Sequence, residues 1–514
     1  MTNNQINNKR IAKNTLLLFF RMLFIMGITL YTSRVILNIL GVQDYGIYNL
    51  VGGIIVLFNF VSSSLSVATQ RFITFEIGKQ SEGSVSKVFS TCLILHVVLG
   101  IILIIVAEPI GIWVINNKLS IPIERLDASL WIFQFSIVSM FIMIIYIPYN
   151  ALIVAYERMS AFAYISIVEA VLKLLIVYIL TLFDFDRLIT YGALMLTVQL
   201  TIRFLYTLYC NHYLSEVKFT WRIQKKTVKK ISSFAGSSVL GNISYISYTQ
   251  GLNIMLGMFY LPVVNAARGI AMQVQGAVLS FVSSFQTAIN PQITKTYAVG
   301  DLKVMYDLIF RSSRFSFYLL MCVTLPLILE TSTVLKLWLG IVPDYTVIFV
   351  RLILLTTWIN SIANPLIVSV KASGKVWQYE SVVAVILLLV LPISYVFLYI
   401  GFDAWIVFVV HLIMEVVAQT ARITISSRLV GFLLHDYIKL VLMKILYTCF
   451  VGSLIPLILY WCLPEGMATF FIISVVSVLS SIISVYFVGL TKEEFYYFNN
   501  KILSLLRKAA QINR

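Results

Sequence analysis

The sequence predicts an all-α polytopic membrane protein of about 14 transmembrane helices, in two pseudo-symmetric six-helix lobes followed by two further helices. Three observations predict it. Of the 514 residues, 60% are hydrophobic and only 12% charged, with a mean hydropathy of +0.93; a soluble domain carries about 25% charged residues. Apolar runs long enough to cross a bilayer, about 20 residues each, follow one another from end to end. A set of short sequence matches also recurs at an offset of 216 residues.

The first run, Ile11 to Leu40, follows the polar and basic stretch MTNNQINNKRIAKN. No small-residue cleavage site comes after it, so it reads as a retained first span and not a signal peptide. Span 2 (45–75) and span 8 (262–298) are longer than the hydrocarbon core requires, so they tilt or extend past it. Spans 87–116, 127–156, 160–183 and 188–212 complete a first set of six. The basic stretch HYLSEVKFTWRIQKKTVKK then divides the chain. Span 7 (232–258) opens the second set, which continues through spans 304–330, 344–371, 376–400 and 402–428; spans 436–462 and 467–490 are left over. The expected organisation is an N-terminal lobe at 1–215, a basic cytoplasmic linker at 216–231, a C-terminal lobe at 232–430, two extra helices at 431–490 and a cytoplasmic tail at 491–514.

The formal net charge of +16 marks topology and not a nucleic-acid partner. With the N-terminus inside, six of the 38 Lys and Arg fall in outer loops or outer helix ends: Arg34, Lys118, Arg125, Arg187, Lys336 and Arg351. Six more lie within spans: Arg21, Lys173, Arg203, Arg268, Arg311 and Arg314. The others mark cytoplasmic loops and ends, and a missed helix would flip everything downstream, so both termini are expected in the cytoplasm. The basic linker also suits anionic membrane lipids. The five cysteines form no CxxC pair and the four histidines are scattered, so no disulfide, metal or cofactor is implied. A GxxxxGK[ST] phosphate loop, which ATP-driven transport would need, is absent from the sequence.

The repeat is carried by NLVGGI (Asn49 to Ile54) and NAARGI (Asn265 to Ile270). At the same offset Asn59 meets Gln275, and FVSSSLSVATQRFIT from Phe60 resembles FVSSFQTAINPQIT from Phe281 after small register shifts. Before them, NILG at Asn38 faces NIMLG at Asn253. Six spans separate the copies, an even number, so both keep one orientation and imply two parallel halves.

Each copy carries a polar stripe. In span 2, Asn49, Gly52, Val56, Asn59, Ser63, Ser66 and Gln70 are spaced by threes and fours and share one helix face. Span 8 repeats this with Asn265, Arg268, Met272, Gln275, Leu279, Ser283, Gln286 and Asn290. Span 7 adds Asn242 and Gln250. Such residues either glue helices together or line a water-accessible cavity; a stripe along a whole span, with four carboxamides and an arginine, favours the cavity.

The charges within spans divide by position. Arg311 and Arg314 precede the strongly apolar part of span 9 and are expected to snorkel to the cytoplasmic surface. Lys173 lies one turn after Glu169, which suits an ion pair as well as function. Arg21, Arg34 and Arg268 remain as candidates for a cationic site. Spans 1, 2, 7 and 8 contain no central acidic residue, so a cavity lined by them is positive. That suits a phosphate or pyrophosphate, for which arginine offers a bidentate fork. Glu169, Glu415 and His411 are candidates for coupling to an ion.

With its 6+6 repeat, two further helices, the opening TSRVILNILGVQDYGIYNLVGGI from Thr32, and PYNALIVAYERMSAFAYISIVEAVLKL from Pro148, the chain resembles the Wzx-type flippases of O-antigen and other lipid-linked oligosaccharides. These belong to the multidrug/oligosaccharidyl-lipid/polysaccharide exporter superfamily. The resemblance implies two six-helix lobes around a central cavity formed mainly by spans 1, 2, 7 and 8. It implies a substrate of polyprenyl-pyrophosphate carrying a sugar repeat unit for a polysaccharide such as lipopolysaccharide. Such a lipid is flipped to the outer leaflet of a bacterial inner membrane by alternating access, alongside polysaccharide polymerase machinery, and with no enzymatic step. Arg21, Arg34 and Arg268 are then the residues expected to meet the pyrophosphate.

Two other readings compete. A multidrug and toxin exporter of the same superfamily would favour acidic residues in the cavity, and spans 1 and 7 offer none as read above. A membrane glycosyltransferase or polysaccharide polymerase would carry a large outer loop or catalytic acids at the surface, and every outer loop expected here is short.

Overall fold

The computed structural model describes residues 3–56, 59–78, 84–156, 158–182, 185–214, 218–221, 228–229, 246–464, 466–496 and 499–500. Among them the regular elements are all helical. In order they are α1 (Asn3–Val56), α2 (Asn59–Gly78), α3 (Ser84–Asn117), α4 (Leu126–Ala155), α5 (Met159–Ile179), α6 (Arg187–Tyr213), α7 (246–259), α8 (Pro262–Val299), α9 (Leu302–Leu329) and α10 (Thr331–Leu339). Then come α11 (Thr346–Ser361), α12 (Ala363–Ser373), α13 (Val376–Leu388), α14 (Val390–Ile400), α15 (Ile406–Val430), α16 (Leu434–Tyr437), α17 (Met443–Cys462) and α18 (Met467–Ser484).

Among the described residues, 11 helices are long and apolar enough to cross a membrane, and the chain is a multi-pass membrane protein. Besides the short α10, three elements stand outside that set: α2, the described part of α7, and α8. α2 and α8 are rich in Ser, Asn and Gln, and those side chains lower their hydropathy, while the described part of α7 is shorter than a span. With them the element order accommodates the fourteen spans read from the sequence.

One boundary differs from expectation. Span 2 was expected to start afresh at residue 45, but α1 continues through it to Val56 across a break at Gly41. Gly41 has φ 78° and ψ 168°, a region open essentially to glycine alone. A break orphans the carbonyls of the preceding turn, and Arg187 donates to one of them, that of Ile39, at 3.1 Å. Just past the break, Asp44 accepts from Arg125 Nε at 2.8 Å. Arg125 also pairs with Asp186, which caps α6 by accepting from Leu188 N and Ile189 N at 3.0 and 3.1 Å. Arg125 and Arg187 therefore brace the bend in α1 and do more than mark topology. Burial alone would raise the Asp186 carboxyl, but the Arg125 hydrogen bonds and the two backbone donors hold it below the usual carboxylate value.

By packing, the chain forms two compact units. The first comprises Met1–Ile270, Trp338–Thr346 and Leu387–Val407; the second comprises Ala271–Leu337, Val347–Ile386 and Phe408–Arg514. The first is cored by Ile47, Leu50, Val51, Ile132, Phe133, Ile144 and Leu188, which α1 past its break, α4 and α6 contribute.

The second unit corrects the snorkelling expectation for Arg314. Its side chain is 3% exposed and pairs with Glu494, itself 4% exposed, at 2.6 Å. Arg311, by contrast, is 41% exposed and pairs with Asp307 at 2.9 Å. Glu494 belongs to the motif TKEE, where its Oε2 accepts from Thr491 N at 2.8 Å and its own N–H donates to Thr491 Oγ1 at 3.4 Å. That is a reciprocal cap at the start of the segment after α18. Two π-turns also recruit cations. In the turn Ile438–Leu442, the carbonyl of Leu440 accepts from Arg314 at 2.7 Å. In the turn Val485–Gly489, the carbonyl of Val488 accepts from Lys444 at 2.9 Å. A π-turn displaces the helical hydrogen-bond ladder and leaves carbonyls available to such donors.

Two measurements check these assignments. Gly41→Ala should cost about 1–3 kcal/mol, read as a lower melting temperature of the purified protein; an unchanged value would mean that the bend does not need glycine. Arg314→Ala should cost up to about 3–5 kcal/mol by leaving the buried Glu494 carboxylate with only the more distant Arg311, at 3.4 Å. Adding Glu494→Gln should recover part of that loss, and strictly additive losses would show that the pair is not coupled.

Candidate functional site

In the first unit the polar helices α1, α7 and α8 come together through side-chain amides. Asn49 Nδ2 donates to its own helix, to Tyr45 O at 2.8 Å. The Asn49 carbonyl in turn accepts from Asn253 Nδ2 of α7 at 3.0 Å. Asn265 Nδ2 of α8 donates to Asn253 O at 2.7 Å and to Asn253 Oδ1 at 2.9 Å. One turn further along α8, Arg268 donates to the carbonyl of Thr249, one turn earlier on α7. Pro262 opens α8, where its missing N–H leaves no donor unmet.

Two glycines make room for this network. A Cβ at Gly53 would lie 2.2 Å from Asn253 Nδ2, and one at Gly269 would lie 2.8 Å from Asn49 Cγ. Asn49 and Gly53 stand 216 residues before Asn265 and Gly269, so the two copies of the repeat motif meet each other. Small residues let helix backbones approach closely in a membrane, and the amides then bond across the seam.

This placement decides part of the contest between glue and cavity. Asn265 is fully buried and Asn253 is 3% exposed, so the Asn265 amide is spent between helices and faces no open cavity. Arg268, 6% exposed, is likewise held inside. Gln250 is half-buried beside Gly53. In the second unit, Gln286 is buried and donates to Ser316 Oγ at 3.0 Å and to Ser361 O at 2.9 Å. Gln275 is half-buried and donates to Thr357 Oγ1 at 3.0 Å. Gln286 is therefore also a contact between helices, because α9 and α11 close over it. Ser66 and Asn290 are half-buried, while Gln70 and Ser283 are exposed.

Of the three candidate arginines, Arg34 is exposed on α1. Arg21 lies in α1, but its side chain is outside the described residues, as are those of Asn59 and Ser63 on α2 and the whole of Asn242. The candidates for ion coupling also have definite surroundings. Glu169 and Lys173 pair at 2.6 Å on α5, both partly exposed. Glu415 is fully buried on α15, pairs with Arg422 two turns later and accepts from Asn360 Nδ2 at 2.8 Å. His411, one turn before Glu415, is buried too.

Sequence reasoning missed two participants. Asn253 had been read only as part of the NIMLG match, though its place in a repeated motif and on a polar helix was the available signal. Arg422 had been counted with the cytoplasmic ends; its spacing of seven from Glu415, which puts both on one helix face, could have revealed the pair.

No protein-family model matches the sequence, and no curated protein does. Solved structures show the fold. The lipid II flippase MurJ in its inward closed conformation superposes with a TM-score of 0.69 at 12% identity, over 92% of this chain and 98% of that one. An inward-facing multidrug-resistance MATE-family transporter of the MOP superfamily gives 0.64 at 15% identity, over 79% and 94%. A MOP-superfamily transporter from Pyrococcus furiosus gives 0.53 at 14% identity, over 82% and 96%. The chain thus has the fold of MOP-superfamily transporters, and at these identities the likeness is one of fold.

Proposed function

We propose that the protein is a flippase that moves a polyprenyl-pyrophosphate-linked oligosaccharide from the cytoplasmic to the outer leaflet of a bacterial inner membrane. The observation that carries this reading is the charge of α1, α7 and α8; α2 adds one acid, Glu76, near its end and one base, Arg71. Residues 246–299, which hold α7 and α8, contain no Asp or Glu, and α1 contains one, Asp44, which is engaged by Arg125. The same helices carry Arg34 and Arg268, and Arg21 precedes them on α1. A passage lined by them favours an anionic headgroup. In this form of the protein Arg34 is the exposed cation of the described pair, and Arg268 is stowed against Thr249. No residue needs to act chemically on the substrate; the task is binding and release on opposite sides.

The length of the likeness supports a lipid substrate. The match to the lipid II flippase omits only 8% of this chain, less than the stretch Leu434–Cys462 and Met467–Gly489 occupy together. It therefore reaches into the two extra helices, which offer the apolar surface a polyprenyl tail needs. A second reading, export of drug-like cations, draws on the MATE likeness, but a positive passage disfavours such cargo.

The test is flipping of a fluorescent polyprenyl-pyrophosphate oligosaccharide in proteoliposomes. The native protein should flip it, Arg34→Ala should slow it at least about tenfold (roughly 1.4 kcal/mol), and Arg34→Lys should retain more activity than Arg34→Ala. Efflux of an organic cation without lipid flipping would favour the exporter reading.

A further inference from the structure

The stretch 218–221, just past the end of α6, is held against α3 in a way that leaves two aromatic rings open. Ser86 Oγ donates to the carbonyl of Lys218. Ser90 Oγ gives its own proton to Ser86 O at 2.8 Å, and its oxygen accepts from Thr220 N at 2.8 Å and Thr220 Oγ1 at 3.4 Å. Thr220 is thereby tied to α3, while its neighbours on either side, Phe219 and Trp221, are 40% and 84% exposed and pack edge to face at 5.2 Å. We propose that this segment is an anchor that seats the end of the first unit among anionic lipid headgroups. Phe219 and Trp221 then sit where headgroups meet acyl chains, and the basic residues around them meet lipid phosphates. On the topology expected from the charge bias, these are lipids of the cytoplasmic leaflet.

Three observations carry this. The first is depth. Arg203, within α6, donates to Thr207 Oγ1, one turn nearer the end of the helix, and its Cζ lies 4.1 Å from the ring centroid of Tyr149. A cation on a membrane helix reaches for the polar boundary in this way. Tyr149 packs on Phe89 at 5.0 Å, and Phe89 directly precedes Ser90. The pinned segment is therefore held near the level where hydrocarbon gives way to headgroups.

The second is the ring pair. A tryptophan as open as Trp221 forgoes a large apolar contact in water, whereas at a membrane interface its ring meets acyl chains and its N–H stays wet. Tyr213, the last residue of α6, is also exposed and extends the same girdle. The third is charge. Residues 218–230 hold six Lys and Arg and no Asp or Glu, and Lys87, between the two pinning serines, is exposed. Each such cation near an anionic leaflet adds to the attraction, and salt weakens the sum. Marking topology needs these charges but gives no use to the rings beside them.

The experiment uses the full-length protein in nanodiscs of equal phosphatidylcholine and phosphatidylglycerol, with bromine on the acyl chains of one lipid or the other. Bromine quenches a tryptophan that it touches, and the difference between the native protein and Trp221→Phe isolates residue 221 among the eight tryptophans. Brominated phosphatidylglycerol should quench that signal at least about twofold more than brominated phosphatidylcholine, and molar salt should abolish the preference. Lys218→Gln with Arg222→Gln should shrink the preference at low salt while both lipids still quench. A signal quenched by acrylamide from the water and by neither lipid would overturn the anchor and leave the ring pair to a soluble partner. Equal quenching by the two lipids at low salt would overturn the recognition of charge.

A second readout needs no tryptophan variant. In native mass spectrometry the Lys218→Gln, Arg222→Gln protein should retain fewer phosphatidylglycerol molecules than the native one; equal retention would overturn the proposal. Neither measurement involves a transported substrate, so both hold whatever the cargo is.

Discussion

Inside a bilayer a charged side chain has no water to turn to, and the rest of this structure follows from how its buried charges find partners within the protein. Arg314 finds Glu494 and the displaced carbonyl of a π-turn. Arg422 finds Glu415. Arg351 donates to the carbonyls of Ile328 and Leu329 at the end of α9, where a helix terminus is both unsatisfied and partly negative. Arg268 takes a backbone carbonyl too. The same demand explains the amides: Asn253, Asn265 and Gln286 are tolerable at these depths because each is bonded to a neighbouring helix.

That constraint shows why the fold class was legible in the sequence. Hydropathy and charge bias are summed over twenty residues at a time, and no tertiary detail is needed to read them. The places where reading span by span differed from the structure are local. Gly41 breaks α1 without ending it, because the bend is a matter of one residue's φ and of two arginines, Arg125 and Arg187, that come from α4 and α6. A sequence shows the glycine but not the partners that hold the bend.

The candidate site was legible in its ingredients and not in its pairings. The threes-and-fours spacing of Asn265, Arg268 and Gln275 follows from helical periodicity, yet periodicity does not say whether a face meets water or another helix. Here glycines decide it. Gly53 and Gly269 bring backbones so close that the amides beside them bond across the seam. Arg314 was misread for a related reason. Its partner Glu494 stands 180 positions away, and nothing near Arg314 in the sequence distinguishes an arginine that snorkels from one that is buried and paired.

The two kinds of attachment in this protein differ in strength. The segment after α18 is held by a buried ion pair, which costs about 3–5 kcal/mol to break one-sidedly; such an attachment suits parts that remain together. The two copies of the repeat motif meet instead through one amide bond, from Asn253 to the Asn49 carbonyl, worth roughly 0.6–2 kcal/mol, and through the contact of Gly269 with Asn49, while Asn265 and Arg268 hold α8 to α7. Replacing Asn265 by leucine would remove its unmet oxygen but would leave the buried Asn253 Oδ1 without its donor, at a cost of about 1–3 kcal/mol. Hydrogen bonds between amides are directional, so they fix the register of one helix against another. Apolar packing alone gives the second helix no such preferred register.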